Sequence, residues 1–228
     1  MLRLVGRAET VLPSLPSQSF DLVLTSPPAY PSLRQEGGSL GTEGSLDSYL
    51  DNLGALLFKC RRLIKSGGFL CLIIEPNGVD VMRPLRDKLQ RLRLMLLATY
   101  HWNHGDGESW VVFLGRGRDA RLNRSAPIWK SREWAIPRPP PDATYGFYEW
   151  PPMLVEAIVQ LTIPNGGRIL DPFAGKASAL AALESPFEVV AVDVKAFDDE
   201  DSSPDENRVD ALENPLHGGG SSATEETC

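Results

Sequence analysis

Asn165-Gly166-Gly167-Arg168-Ile169-Leu170-Asp171-Pro172-Phe173-Ala174-Gly175 is the stretch that decides the fold. Asn165-Gly166-Gly167 ends a helix that opens at Pro151-Pro152 and carries Leu154, Val155, Ile158 and Leu161 on one side. Arg168–Asp171 predicts a strand and Phe173–Gly175 a turn. Lys176–Leu183 predicts an alanine-rich helix, and Glu188–Val194 a second strand. Further out, Phe20–Thr25 is a short apolar run that stops at Ser26-Pro27-Pro28, as a strand does at a residue pair that cannot donate to a ladder. Pro31–Gly44 lacks an apolar period and reads as a mobile loop. Leu46, Tyr49, Leu50, Leu53, Leu57, Cys60 and Ile64 recur at helical spacing, with Ser45 or Asp47 to cap the start and Gly67-Gly68 to stop the helix. Phe69–Glu75 is continuously apolar, as a parallel strand buried on both faces must be. Val81–Leu92 predicts a helix, and Leu96–Trp102 and Trp110–Leu114 predict strands; Pro137–Pro141 excludes regular structure. The alternation implies a doubly wound, mostly parallel α/β sheet, in which ligands sit at the carboxyl ends of strands near a switch point.

Two motifs fall at such ends. In Asp171-Pro172-Phe173-Ala174-Gly175 the glycine lets the backbone approach a ligand, and Asp193 ends the next strand where a carboxylate would grip ribose hydroxyls. The same turn also reads as an ordinary strand-to-helix connection with a capping aspartate. Ser26-Pro27-Pro28 presents rigid, outward-facing carbonyls, and also reads as a plain strand terminator.

Composition bounds the rest. The chain has 228 residues, 42% hydrophobic and 23% charged, which suits one globular domain. It has no run of about 18 apolar residues, so no membrane span is expected, and its first residues lack the apolar core of a signal peptide. Cys60, Cys71 and Cys228 cannot all pair, so a reduced, cytoplasmic protein is expected. With three histidines and no metal-ligand spacing, no metal site is expected. The net charge of −7 is uneven: residues 196–228 carry ten acidic residues against one arginine and predict a disordered acidic tail, leaving residues 1–195 at +2. Residues 115–138 hold Arg116, Arg118, Arg121, Arg124, Lys130, Arg132 and Arg138 against Asp119 and Glu133. That surplus reads either as a patch that tracks a phosphate backbone or as a solvated loop.

Taken in order, Leu24-Thr25-Ser26-Pro27-Pro28 and Asp171-Pro172-Phe173-Ala174-Gly175 resemble the amino-methylating DNA methyltransferases. The motif order is similar to that of the circularly permuted β group. The resemblance extends to Gly6-Arg7-Ala8-Glu9, to Arg61–Gly68 and to Trp150–Glu156, and covers roughly residues 1–195. It implies a Rossmann-like methyltransferase fold and S-adenosylmethionine as cofactor. The cofactor residues it implies are Pro151, Asp171, Pro172, Phe173, Ala174, Gly175 and Asp193. Catalysis would fall to Ser26, Pro27, Pro28 and Tyr30, with Ser26 and the Pro27 carbonyl accepting the hydrogens of an exocyclic amine. Serine leads this motif more often in cytosine-N4 than in adenine-N6 enzymes. A target-recognition segment falls at about 115–148, where Arg116, Arg118, Arg121, Arg124, Lys130 and Arg132 would contact DNA beside Trp129, Trp134, Tyr145 and Tyr148; for Trp129 packing is the readier explanation.

The chain departs from the pattern at three points, one of them the acidic tail that stands in place of the usual chain beyond Asp193. Ala29 stands where an aromatic residue usually follows Pro-Pro, leaving Tyr30 to stack on the base. After Gly175, Lys176-Ala177-Ser178 replaces a second small glycine, and the added methyl of Ala177 fits only with a negative φ. These departures keep open a catalytically weakened DNA-binding module or partner-dependent subunit, and RNA is an alternative substrate.

Overall fold

The computed structural model describes residues 1–32, 40–140 and 149–194. The acidic tail, Tyr145, Tyr148, most of the loop after Tyr30, and Cys228 lie outside the described residues. The strands are β1 (Leu2–Val5), β2 (Phe20–Thr25), β3 (Ile64–Ile74), β4 (Met95–Asn103), β5 (Glu108–Gly115), β6 (Glu133–Ala135), β7 (Gly167–Asp171) and β8 (Phe187–Asp193). The helices are α1 (Ala8–Val11), α2 (Leu46–Leu63), α3 (Met82–Arg91), α4 (Pro152–Thr162) and α5 (Ser178–Ala181). All eight strands join one sheet in the order β1-β8-β7-β2-β3-β5-β4-β6. Among the described strands only β5 runs against the rest, pairing antiparallel with β3 and β4. The expected doubly wound, mostly parallel sheet is therefore present.

Its central strands are apolar because both faces are covered. Leu22, Leu24, Cys71, Ile73, Tyr100, Trp102 and Phe113 pack in one core with Leu154, Val155, Ile158 and Leu161 of α4. The alternate residues Leu70, Leu72 and Val112 are equally buried on the opposite face. α2 packs on β3 there, burying Tyr49, Leu50, Leu53, Leu56, Leu57, Cys60 and Leu63, of which each leucine contributes about 1.5–3 kcal/mol. Ser45 caps that helix, its Oγ accepting from Ser48 N at 3.2 Å. Asp21 staples three strands at the amino-end rim: Lys65 Nζ lies 2.9 Å from its Oδ2, and Arg168 N donates to the same oxygen at 2.8 Å.

Several boundaries correct the sequence expectations. α2 ends at Leu63, before Gly67-Gly68, because Ile64 already turns extended (φ −73°, ψ 134°). The glycine pair lies inside β3, where Gly67 takes φ +81° and its N–H donates to Arg116 O at 2.7 Å. The alanine-rich helix shrinks to the four residues of α5. Its N-cap, Ala177, takes φ +55°, so the negative φ that would accommodate the added methyl is not met. Two strands escaped the sequence reading. β1 and β6 are short, and each occupies an edge of the sheet with one strand neighbour.

Candidate active site at the switch point of the sheet

β2 and β7 are parallel neighbours, with Leu22 opposite Ile169 and Val23 opposite Leu170. From β2 the chain proceeds to β3 on one side, and from β7 to β8 on the other. Strand order therefore reverses between them, and this is where a doubly wound sheet opens a crevice at its carboxyl ends. Thr25-Ser26 and Asp171-Pro172 flank that point. Residues some 145 positions apart thus meet at one rim, as the two motifs require.

Asp171 is fully buried there, its Oδ1 accepting from Phe173 N at 3.0 Å. Burial pushes its carboxyl up to about 7. The Phe173 N–H and the Thr25 hydroxyl oppose that rise, and the nearby Asp193 charge adds to it. The Thr25 hydroxyl influences Asp171 without meeting full hydrogen-bond geometry: Oγ1 is buried and has no hydrogen-bond partner among the described residues.

The turn beyond Asp171 is closed by its own backbone. Ala174 N donates to Val192 O at 3.0 Å, Gly175 N to Asp193 Oδ2 at 2.9 Å, and Ala177 N to Ala174 O at 2.8 Å. Gly175 takes φ +53°, which glycine adopts without strain. Pro172 is buried, whereas Phe173, Ala174, Gly175 and Asp193 remain partly exposed at the rim. Pro151 is the buried residue that opens α4. Since α4 leads by residues 163–166 into the start of β7, its N-terminus points back to the carboxyl-end rim.

On the β2 side, Pro27 is buried and Ser26, Pro28, Ala29 and Tyr30 are partly exposed. Tyr49 Oη donates to Pro28 O at 3.0 Å, and the Tyr30 ring stacks on Tyr49 with centroids 5.3 Å apart at 27°. Asn77 Nδ2 donates to Pro31 O at 2.8 Å, and Ser32 N to Gly41 O at 2.8 Å. Sequence reasoning missed Tyr49 and Asn77. Tyr49 was hidden in an apolar helical stripe, although a phenol on a buried face must find a hydrogen-bond partner, and that requirement was the available signal. Nothing in the local sequence marked Asn77.

The basic segment does not gather at this rim. Ile74 opposite Trp110 marks the carboxyl end of β3, and Phe69 opposite Gly115 the other end. Arg116 therefore begins roughly 17 Å from the motifs along the strand direction. Its guanidinium donates to the carbonyls of Arg61 at 3.1 Å, Arg62 at 3.4 Å and Ile64, capping the end of α2. Gly117 lies against Ser66, which places exposed Arg118 at the same far rim. Arg121 follows Ala120, which packs beside Gly115, and Asn123 N donates to Leu161 O at the far end of α4. The chain then climbs. Arg124 lies 5.5 Å above the Trp129 ring, and Arg132 lies between Trp129 (5.1 Å) and Tyr100 (4.8 Å). Lys130 is exposed; Trp129 is half-buried against the core, while Trp134 is buried. At the top, Arg138 binds Asp106 Oδ1 at 3.0 Å and Glu75 Oε1 at 3.3 Å, and Asp106 also meets His104 Nδ1 at 2.7 Å.

A separate recess of about 290 Å³ is lined by Arg7, Glu9, Glu43, Asn52, Leu56 and Lys59, none of them in either motif. Its polar groups are engaged: Lys59 Nζ donates to Glu9 O at 2.9 Å and Asn52 Nδ2 to Glu43 Oε1 at 3.0 Å. Among the described residues no helix is long and apolar enough to cross a membrane, and no cluster of metal-ligating side chains occurs.

The fold is the Rossmann-like fold of DNA methyltransferases. The chain is similar over 92% of its length to the PvuII DNA methyltransferase, which is cytosine-N4-specific (TM-score 0.68, 15% identity, 90% of that chain). It is similar over 85% to TTHA0409 from Thermus thermophilus, assigned as a DNA modification methylase and solved in complex with S-adenosyl-L-methionine (TM-score 0.64, 21% identity, 88% of that chain). In sequence, 87 residues, 37% of this chain, are 38% identical to the Type II methyltransferase M.SmaI of Serratia marcescens, covering 30% of that relative's length. No family model matches the chain.

Proposed function

We propose that the protein is an S-adenosylmethionine-dependent DNA methyltransferase that methylates an exocyclic amino nitrogen, cytosine N4 in preference to adenine N6. The observation that carries this reading is the meeting of Thr25-Ser26-Pro27 and Asp171-Pro172 at the switch point of the sheet. Similarity to DNA methyltransferases in fold, and to M.SmaI over part of the chain, supports it.

The residues at the rim fit a nucleoside-bearing cofactor. A carboxylate ends β8, a partly exposed glycine turn ends β7, and the buried Thr25 hydroxyl between the two motifs retains hydrogen-bonding capacity. Asp193, whose Oδ2 accepts from Gly175 N, would hold the ribose hydroxyls, and Phe173, Ala174, Gly175 and Pro151 would line the remainder. When bound, S-adenosylmethionine supplies a methyl group on a positively charged sulfur. Ser26 Oγ and the Pro27 carbonyl accept the hydrogens of the target amine and hold its nitrogen towards tetrahedral geometry, where positive charge develops. The proton that the amine would lose on methylation would leave along its hydrogen bond to Ser26 Oγ and pass on to water. Tyr30, with one face on Tyr49, offers its other face to the base, a stack worth about 1–3 kcal/mol. Arg124, Lys130 and Arg132 lie on the climbing part of the 115–148 segment and would meet the phosphate backbone. Arg116, committed to α2, and Arg118 and Arg121, on the far side, stand outside that contact.

A second reading, a weakened DNA-binding module, draws on Ala29 and on the left-handed Ala177 in the cofactor turn. One experiment separates them: incubation with methyl-labelled S-adenosylmethionine and mixed-sequence DNA, with RNA in parallel, followed by digestion to nucleosides. Label in N4-methylcytosine, absent from Ser26→Ala and Pro27→Ala proteins, is expected. No label above those variants overturns the proposal.

A further inference from the structure

We infer that Tyr49 is a positioning residue of the Ser26-Pro27-Pro28 motif, and that its hydroxyl, more than its ring, sets the rate of the reaction. The inference rests on the methyltransferase reading above. Two consecutive prolines leave the motif few soft dihedrals. Both rings fix φ, and each residue that precedes a proline, Ser26 and Pro27, is held near extended ψ. The remaining freedom is ψ of Pro28, which swings the Pro28 carbonyl and with it the departure of Ala29-Tyr30. Tyr49 Oη holds that carbonyl at 3.0 Å from a fully buried position on α2. Burial, and secondarily the charge of Glu43, keep the phenol protonated well beyond its ordinary range, so it acts as a permanent donor. The same ring backs Tyr30 at 5.3 Å. One side chain therefore fixes both the path by which the chain leaves the motif at Pro28 and the platform offered to the base. α2 is tied in turn to the β3–β5 rim through the Arg116 cap.

The test compares Tyr49→Phe, which keeps the ring and loses the hydroxyl, with Tyr49→Leu, which loses both. Wild-type and variant proteins are assayed for methyl label in mixed-sequence DNA at varied S-adenosylmethionine. Tyr49→Phe is expected to lower kcat about ten-fold with KM for S-adenosylmethionine within two-fold of wild type, about what one lost hydrogen bond costs when expressed at the transition state. Tyr49→Leu should lose more, and the additional loss should appear in KM for DNA. If Tyr49→Leu fails to fold, Tyr49→Phe alone decides. Wild-type kcat in Tyr49→Phe overturns the inference and leaves the methyltransferase reading intact. A ten-fold rise in KM for S-adenosylmethionine at unchanged kcat also overturns it, since it would place Tyr49 at the cofactor. Absence of label with the wild-type protein overturns the functional reading, and this inference with it.

Discussion

The carboxyl-end rim and the basic segment treat their polar groups in opposite ways. At the rim, polar atoms converge from adjacent strands: Asp171 and the Thr25 hydroxyl are buried together, and Asp193 closes on Gly175. Along 116–138 the charged groups disperse over the height of the sheet, and several are taken up by neighbouring groups while Arg118 and Lys130 stay exposed. Arg116 caps α2, Arg132 stacks between Trp129 and Tyr100, and Arg138 ties the β4–β5 turn to Glu75. Spacing in sequence predicts convergence when residues end buried parallel strands, because the sheet fixes where those ends lie. It does not when they sit on a connecting segment whose path is set by packing.

The sharpest way to break this contrast is to remove one group from each region. Ser26→Ala should reduce methyl transfer to DNA by about a hundred-fold or more, whereas Arg118→Ala should change it less than two-fold; equal effects would erase the distinction. The next effect concerns stability. Asp171 has a folded-state value of about 7, above its unfolded value, so the folded protein holds a proton that the unfolded chain releases. Its stabilising contribution is complete below about pH 4 and is lost as pH rises to 7. Thermal unfolding of the cofactor-free protein should show falling stability between about pH 4 and 7. Asp171→Asn should flatten that profile and gain about 2–4 kcal/mol at pH 8. A profile unchanged by the substitution would mean that the carboxyl is not desolvated.

The far-rim arginine gives the third test. Arg116→Ala should cost about 2 kcal/mol in urea unfolding, by uncapping the carbonyls of α2, with no change in DNA affinity. A selective loss of DNA affinity would return Arg116 to the nucleic-acid face. The smallest effect lies at Ala177. A left-handed alanine is strained by about 1 kcal/mol relative to glycine, so Ala177→Gly should raise stability by that amount in the same unfolding measurement. A loss would show that the alanine methyl contributes packing beyond its strain.

The layered sheet was legible because the apolar runs 20–25, 69–75 and 188–194 are long enough to be central strands and end at proline, glycine or acidic residues. The two motif turns were legible for the same reason. β1 and β6 were not, because edge strands of three or four residues carry too little apolar pattern to stand out. The end of α2 was misplaced because Gly67-Gly68 resembles a helix stop, while the arginine that terminates the helix lies some fifty residues later in the chain. Tyr49 and Asn77 acquire their roles only by meeting Pro28 and Pro31 across the fold.

Under the proposed function, residues near 26 and near 173 line one cleft that holds the methyl donor. Ultraviolet cross-linking of methyl-labelled S-adenosylmethionine, followed by peptide mapping, tests it directly. Label is expected in the peptides that contain Ser26–Tyr30 and Asp171–Gly175, lost on competition with unlabelled cofactor. Competable label confined to the recess formed by Arg7, Glu43 and Lys59, with none in either motif, would contradict it.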